Sequence, residues 1–487
     1  MVRPCNFLHC TKSQIRRTRV SRSDGSGVTK RRLGWKTDAV TGLPSFEIVA
    51  RLRPVDLVAP GLIQIDDDAP GPSGRATCPQ PAPSAAIEAA PGEGPLRLTW
   101  ASGSTTLSAE YDAGRVGLTV ETAGRRTRHV ARRGRRSGAV ERLALTLTGT
   151  HLTALTRQDD TWTARTRVDL SDRVDTRDET WLAGLEAAHD GSARSIRAGA
   201  FGQLGLRDPR LVSFADGSPY SAGGELWLTA TSAGPGFFDT AHTSVWSLHP
   251  GTLALRHRAD LFFRRPDKPG VYGDHATHLV REDDGWLVAT STWGDFDKRG
   301  PGMRVAVTLA RTRADLLSGR HVLDTEWLRL PTEGLRSVGV WDPHLVRDGH
   351  EWLVGYVSAR RFFDFFPAIA TGPSLDTLTV RAAATDRRAT EGTTLLRVVD
   401  ERGSAWRVLA SDGRDNRAPH RGRYPVFDLD LTQLGTLDAP YPTNIPWPTL
   451  APVGEGWLMI GFDGTPTGGR VLGYGTHGDL VIARSKV

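Results

Sequence analysis

From Ser45 onward, apolar and polar residues alternate with period two in short runs separated by Gly, Pro, Asp and Asn. Phe46-Glu-Ile-Val-Ala-Arg-Leu, Leu96-Arg-Leu-Thr-Trp and Val116-Gly-Leu-Thr-Val are examples, and Leu143 to Leu155 holds two more runs. Such runs predict half-buried antiparallel strands. Residues 41–190 are accordingly expected to form a β-sandwich of jelly-roll type. Within it, Asp66 to Pro95 is rich in Pro, Ala and Gly and reads as a long loop.

From residue 195 to 487 the pattern repeats. Each copy has a slot residue, an apolar pair two or three places on, and a later tryptophan. The slots are Asp208, Ala276, Asp342, Glu391 and Trp447, and the tryptophans are Trp227, Trp286, Trp352, Trp406 and Trp457. Copies start 49 to 68 residues apart, enough for four strands each. Five such units in a row predict a five-bladed β-propeller. The tryptophans read as packing between neighbouring sheets.

The first strand of each blade lines a propeller's channel, and side chains two apart face the same way. Asp208, Ala276, Asp342, Glu391 and Trp447 then form one ring. Arg210, His278, His344, Thr393 and Thr449 form the next. Three carboxylates would converge on one funnel. An Asp at a strand start can simply cap a turn. Three matched acids are harder to explain in that way, because converging carboxylates repel and are costly to bury. Glycosidic bond cleavage needs two carboxyls, one protonated and one ionised, and a third can raise the pKa of the donor.

Charge and cysteine content narrow the picture little. The chain has 487 residues and a net charge of +7, but residues 1–36 hold ten Lys/Arg against Asp24 alone. The remainder is close to neutral, so the basic balance is no sign of nucleic-acid binding. Residues 1–40 read as a disordered basic leader. No apolar run approaches the ~18 residues of a membrane span, and no secretory core is seen, so cytoplasmic residence is the default expectation. Cys5, Cys10 and Cys78 have no metal-ligand spacing with histidines. Seven arginines between Arg125 and Arg136 read as a solvated strand tip or a patch for an anionic ligand.

The stretch RLALTLTGTHLTALTRQDDTWTARTRVDL resembles the paired strands of laminin-G or concanavalin-like jelly rolls. RDPRLV around Asp208, VWDPHLV around Asp342 and TEGTTLLRV around Glu391 resemble the Asp, Asp, Glu signature of family 43 glycoside hydrolases. That family contains arabinanases, arabinofuranosidases and xylosidases. The resemblance implies Asp208 as general base, Asp342 as the acid that modulates a pKa and orients the donor, and Glu391 as general acid. It implies inversion, with base and acid carboxyls about 6.5–9.5 Å apart. Two features depart from it: Thr393 stands where proline is usual, and the sandwich precedes the propeller. Further candidate substrate-binding residues are Arg210, Asp274, His275, His278, Trp293, His344 and Trp447, with Phe296, Asp463 and the Phe362-to-Phe366 cluster nearby. No metal or cofactor is expected. The expected partner is an oligosaccharide or polysaccharide, with neither nucleic acid nor membrane, and oligomeric state is unread. A glycoside phosphorylase and a non-catalytic glycan-binding propeller are the competing readings. The intact Asp208 disfavours the phosphorylase.

Overall fold

The computed structural model describes residues 38, 40–130, 140–296, 304–400, 403–465 and 478–486. The expected basic leader, Cys5, Cys10 and half of the arginine-rich tip lie outside them. The described chain is almost entirely β. Its helices are one short α-helix, Glu179–Ala183, and a 3-10 turn, Phe238–Thr240, and no helix is long and apolar enough to cross a membrane.

A ten-stranded sheet comes first. Its path runs Thr161–Asp169, His151–Gln158, Arg142–Thr148, Ser84–Ser102, Thr105–Asp112, Arg115–Thr122 and Arg125–Val130, with Glu186–Gln203 pairing alongside. The long strand Ser84–Ser102 is used twice. Ser84 to Ala89 pairs with Leu143 to Thr148, and Leu96 to Ser102 pairs with Thr105 to Tyr111. Its two halves thus carry different neighbours around one core that contains Leu98, Trp100, Leu107, Leu118, Leu145 and Leu152.

The expected loop from Asp66 to Pro95 is therefore mostly strand: it takes in the end of Asp56–Asp67, all of Ser73–Thr77, and the start of Ser84–Ser102. Ala85, Ile87 and Ala89 face the main core, while Ala86 packs with Leu155, Trp162 and Phe201 on the other side. A strand buried on both faces shows no alternation, and alanine has little β-propensity of its own.

Five further sheets among the described residues are arranged like propeller blades. Their first strands are Leu206–Leu211, His275–Glu282, Gly339–Asp348, Thr390–Asp400 and Thr449–Val453. The last sheet is completed from the other end of the chain. Phe46–Leu52, expected in the N-terminal sandwich, instead pairs antiparallel with Asp479–Ser485. Seven residues near the start of the described chain thus form the outermost strand of the final sheet.

The repeat tryptophans pack between sheets. Trp227 and Trp286 share one core, and Trp352 and Trp406 lie in two others. Arg281, Arg347 and Arg397 each stand directly across the ladder from Trp286, Trp352 and Trp406. Each guanidinium lies 5.0–5.9 Å from its indole, so the outer face of the ring is closed by cation–π contact.

Candidate active site

Each of the first four inner strands carries a β-bulge. The ladder slips between Arg207 and Arg210, His275 and His278, Trp341 and His344, and Glu391 and Thr394. The bulged residue is left-handed: φ is 50° at Asp208, 59° at Ala276, 58° at Asp342 and 75° at Gly392. Trp447 has φ 50° at the same place before the fifth inner strand. Non-glycine residues pay for this conformation, and such strain gathers at functional sites.

This register corrects the alignment of the fourth copy. Its slot is Gly392, and Glu391 sits one place earlier, where the other copies have Arg207, His275 and Trp341. Thr394 then replaces Thr393 in the second ring. Cross-blade hydrogen bonds repeat in the same frame. His278 Nδ1 accepts from the Leu345 amide at 3.1 Å, and His344 Nδ1 accepts from the Leu395 amide at 3.2 Å. Each amide lies three residues after the left-handed position.

A bulge turns two consecutive side chains toward the funnel, where regular alternation would allow only one. Arg207 with Asp208, His275 with Ala276, and Trp341 with Asp342 all line one cavity of about 190 Å³, together with Glu391 and Trp447. Its wall is aromatic. Phe238 stacks on Trp293 at 4.6 Å, and Trp293 meets Trp341 at 5.3 Å. Phe362, Phe363 and Phe365 continue that wall, and Asp415 and Asn444 add polar groups to the lining.

The three acids do not behave alike. Burial and the charge of Asp208 push the Glu391 carboxyl up to about 7, against the opposing pull of Arg207 and the indole N–H groups of Trp341 and Trp447. Neither indole N–H closes a regular hydrogen bond; both are buried without a partner. Their effect on Glu391 is therefore one of proximity. Asp342 is raised well above the carboxylate range by burial, then by Glu391 and Asp208, with Arg210 and the Gly392 amide opposing. Its Oδ2 is also buried without a partner. The like charge acting on Glu391 is thus that of Asp208, whereas Asp342 favours its protonated, uncharged form.

His275 donates from Nδ1 to the Gly273 carbonyl at 3.0 Å. Burial holds it neutral, at about 4, and its Nε2 lone pair is buried without a partner.

Of the sequence candidates, Asp208, Asp342, Glu391, His275, Trp293 and Trp447 line the cavity. Arg210, His278 and His344 do not. Arg210 is buried with its guanidinium 5.0 Å from the Trp447 ring, and its Nη1 reaches Thr393 O and Thr394 Oγ1. Burial lowers it to about 10, opposed by Asp342 and Asp208. His278 and His344 stack on each other at 4.3 Å, and burial keeps both neutral. Asp274 is no cavity residue either: it holds Arg265 in a buried two-pronged ion pair and accepts from the Gly294 amide. Asp463 pairs with Arg51 from the strand that closes the last sheet. Arg207, Trp341, Phe238, Asp415 and Asn444 were not among the sequence candidates. Arg207 and Trp341 had a signal, because each directly precedes a slot acid. Among the described residues, no group of three or more His, Cys, Asp and Glu is placed to hold a metal ion.

No protein-family profile matches the chain, and no curated protein matches it by sequence. Solved structures similar to it include Zg3597, a family 117 glycoside hydrolase of the marine bacterium Zobellia galactanivorans, at 10% identity and TM-score 0.40, covering 57% of this chain and 84% of that one. Bacillus subtilis levansucrase aligns at 10% identity and TM-score 0.40, covering 57% and 83%. The Bombyx mori GH32 β-fructofuranosidase BmSUC1 aligns at 12% identity and TM-score 0.37, covering 57% and 59%. Likeness of this size fixes no activity, so the functional reading rests on the site itself.

Proposed function

We propose that the chain is a glycoside hydrolase on a five-bladed β-propeller, residues 195–487 closed by Phe46–Leu52, behind an N-terminal sandwich domain. The observation that carries this reading is Glu391. It is a half-buried acid on the cavity wall, raised to about 7 by burial and by the charge of Asp208, in an aromatic-walled cavity. A general acid works best with a pKa near the working pH. Aromatic walls with a few convergent polar groups suit a sugar ring.

In this mechanism Glu391 gives its proton to the leaving oxygen as the glycosidic bond breaks. Asp208 takes a proton from the water that attacks the anomeric carbon. Asp342 stays uncharged and holds Glu391 in place. Arg207 and the indole N–H groups of Trp341 and Trp447 stabilise Glu391 once it has lost its proton. Inversion follows if water enters opposite the leaving group. The substrate class we favour is a pentose-containing or other wall glycan.

Arg207 in the funnel favours one second reading, in which phosphate replaces water and the product is a sugar phosphate. The test is incubation with p-nitrophenyl α-L-arabinofuranoside, p-nitrophenyl β-D-xyloside, arabinan and xylan, with and without phosphate, followed by proton NMR of the fresh product. Free sugar of inverted anomeric configuration supports the hydrolase. A phosphate-dependent sugar 1-phosphate supports the second reading. Binding without any product in the intact protein contradicts both.

A further inference from the structure

The funnel is small for a polymer. Its 190 Å³ falls below the ~300–1,000 Å³ of pockets that enclose a larger ligand. A second cavity of about 520 Å³ lies behind the funnel's aromatic wall.

The two cavities share a short loop. Phe238 lines the funnel, while its neighbours Phe237 and Asp239 line the second cavity. The Phe237 and Phe238 rings meet edge to face at 4.3 Å. Phe296, also on the second cavity, packs 5.7 Å from Phe238 and stacks at 4.4 Å on Phe362 of the funnel wall. One aromatic ridge therefore has the funnel on one side and the second cavity on the other.

The far side of the second cavity belongs to the N-terminal domain. Thr150, His151, Arg167, Asp169, Ser171 and Arg177 line it. His151 Nδ1 contacts Asp239 Oδ2 at 3.0 Å and so ties the two domains together at this point. Arg177 donates from Nη2 to the Gly294 carbonyl, while its Nε is buried without a partner. Acids and cations are mixed here and no single charge dominates. Planar and carboxylate hydrogen-bonding groups beside aromatic faces suit the hydroxyls of a neutral sugar.

We propose that this interdomain cavity is a distal saccharide subsite, so that the N-terminal domain supplies part of the substrate cleft and the preferred substrate is an oligosaccharide that crosses the Phe237–Phe238 ridge. The proposal rests on the glycoside hydrolase reading.

Ser171 is exposed at the cavity wall and outside the funnel, so Ser171→Trp fills the cavity without touching the catalytic acids. The experiment compares kcat/KM on the two p-nitrophenyl glycosides with that on arabino- and xylo-oligosaccharides of two to five units. The wild type is expected to gain at least tenfold in kcat/KM with chain length. Ser171→Trp is expected to lose that gain while keeping aryl-glycoside activity within twofold. No gain in the wild type, a gain retained in the variant, or an equal loss on both substrate types overturns the proposal. Binding of the same oligosaccharides to Glu391→Gln, measured by calorimetry, separates this failure from failure of the catalytic reading. Affinity that rises with length and is lost on adding Ser171→Trp supports the subsite even when no substrate is cleaved. Affinity independent of length, or rising equally in both, overturns it.

Discussion

Trp447 covers Gly392: its Cδ1 stands 2.8 Å from the point a Cβ on Gly392 would occupy. Glycine is required there twice over, since φ at Gly392 is 75°. Gly392→Ala is expected to cost about 1–2 kcal/mol for the left-handed backbone alone. It must also displace the indole, and the indole is one of two whose N–H groups act on Glu391. A drop in kcat of at least tenfold is expected, with a fall in the tryptophan contribution to near-ultraviolet circular dichroism. Unchanged kcat would mean that the indole position is immaterial.

Burial raises both Glu391 and Asp342; beyond it, Glu391 is raised by Asp208, whereas Asp342 is raised by Glu391 and Asp208. The two aspartates should therefore differ in what they do to Glu391. Removing the charge in Asp208→Asn is expected to lower the Glu391 pKa. Asp342→Asn is expected to move it much less. Carbon-13 NMR titration of labelled glutamate checks both. For activity, Glu391 must hold its proton, so kcat/KM is expected to fall as pH rises through about 7. Stability has the same sign. A carboxyl raised on folding favours the fold below its ordinary pKa of about 4.5, and that advantage is lost as pH rises through about 7. Glu391→Gln should flatten this dependence in thermal melts.

Asp274 and Arg265 form a pair that is almost wholly buried. Removing Asp274 leaves the buried Arg265 with Asp295 alone, 2.7 Å from its Nη1, so the cost falls below the about 3–5 kcal/mol of a buried charge that loses its only partner. Asp274→Ala is expected to lower Tm by several degrees while leaving the pH profile of the remaining activity in place. A shifted profile with unchanged Tm would instead put Asp274 in the site.

The repeat was legible because an apolar pair and a tryptophan recur in every copy, and packing between sheets demands both. The bulge was not. Period-two counting treats a strand as regular, so it placed Glu391 in the slot that Gly392 fills and left Arg207 and Trp341 facing away from the funnel. Only the left-handed residue brings both neighbours inward. Asp274 looked like a site residue because nothing in its immediate neighbours reveals Arg265, nine positions earlier, as its partner. The pairing of Phe46–Leu52 with Asp479–Ser485 spans the whole described chain, and strand pattern alone carries no information about so distant a partner. The acids themselves were found because burying several carboxylates in one funnel is costly without a use for them.

Dependence of rate on the leaving group reports on Glu391 as the proton donor. Wild type and Glu391→Ala are compared on aryl glycosides whose phenols range from 2,4-dinitrophenol to unsubstituted phenol. Glu391→Ala is expected to lose at least a thousandfold for phenol, which needs protonation, and far less for 2,4-dinitrophenol, which does not. Equal losses across the series, or no loss at all, would contradict that role.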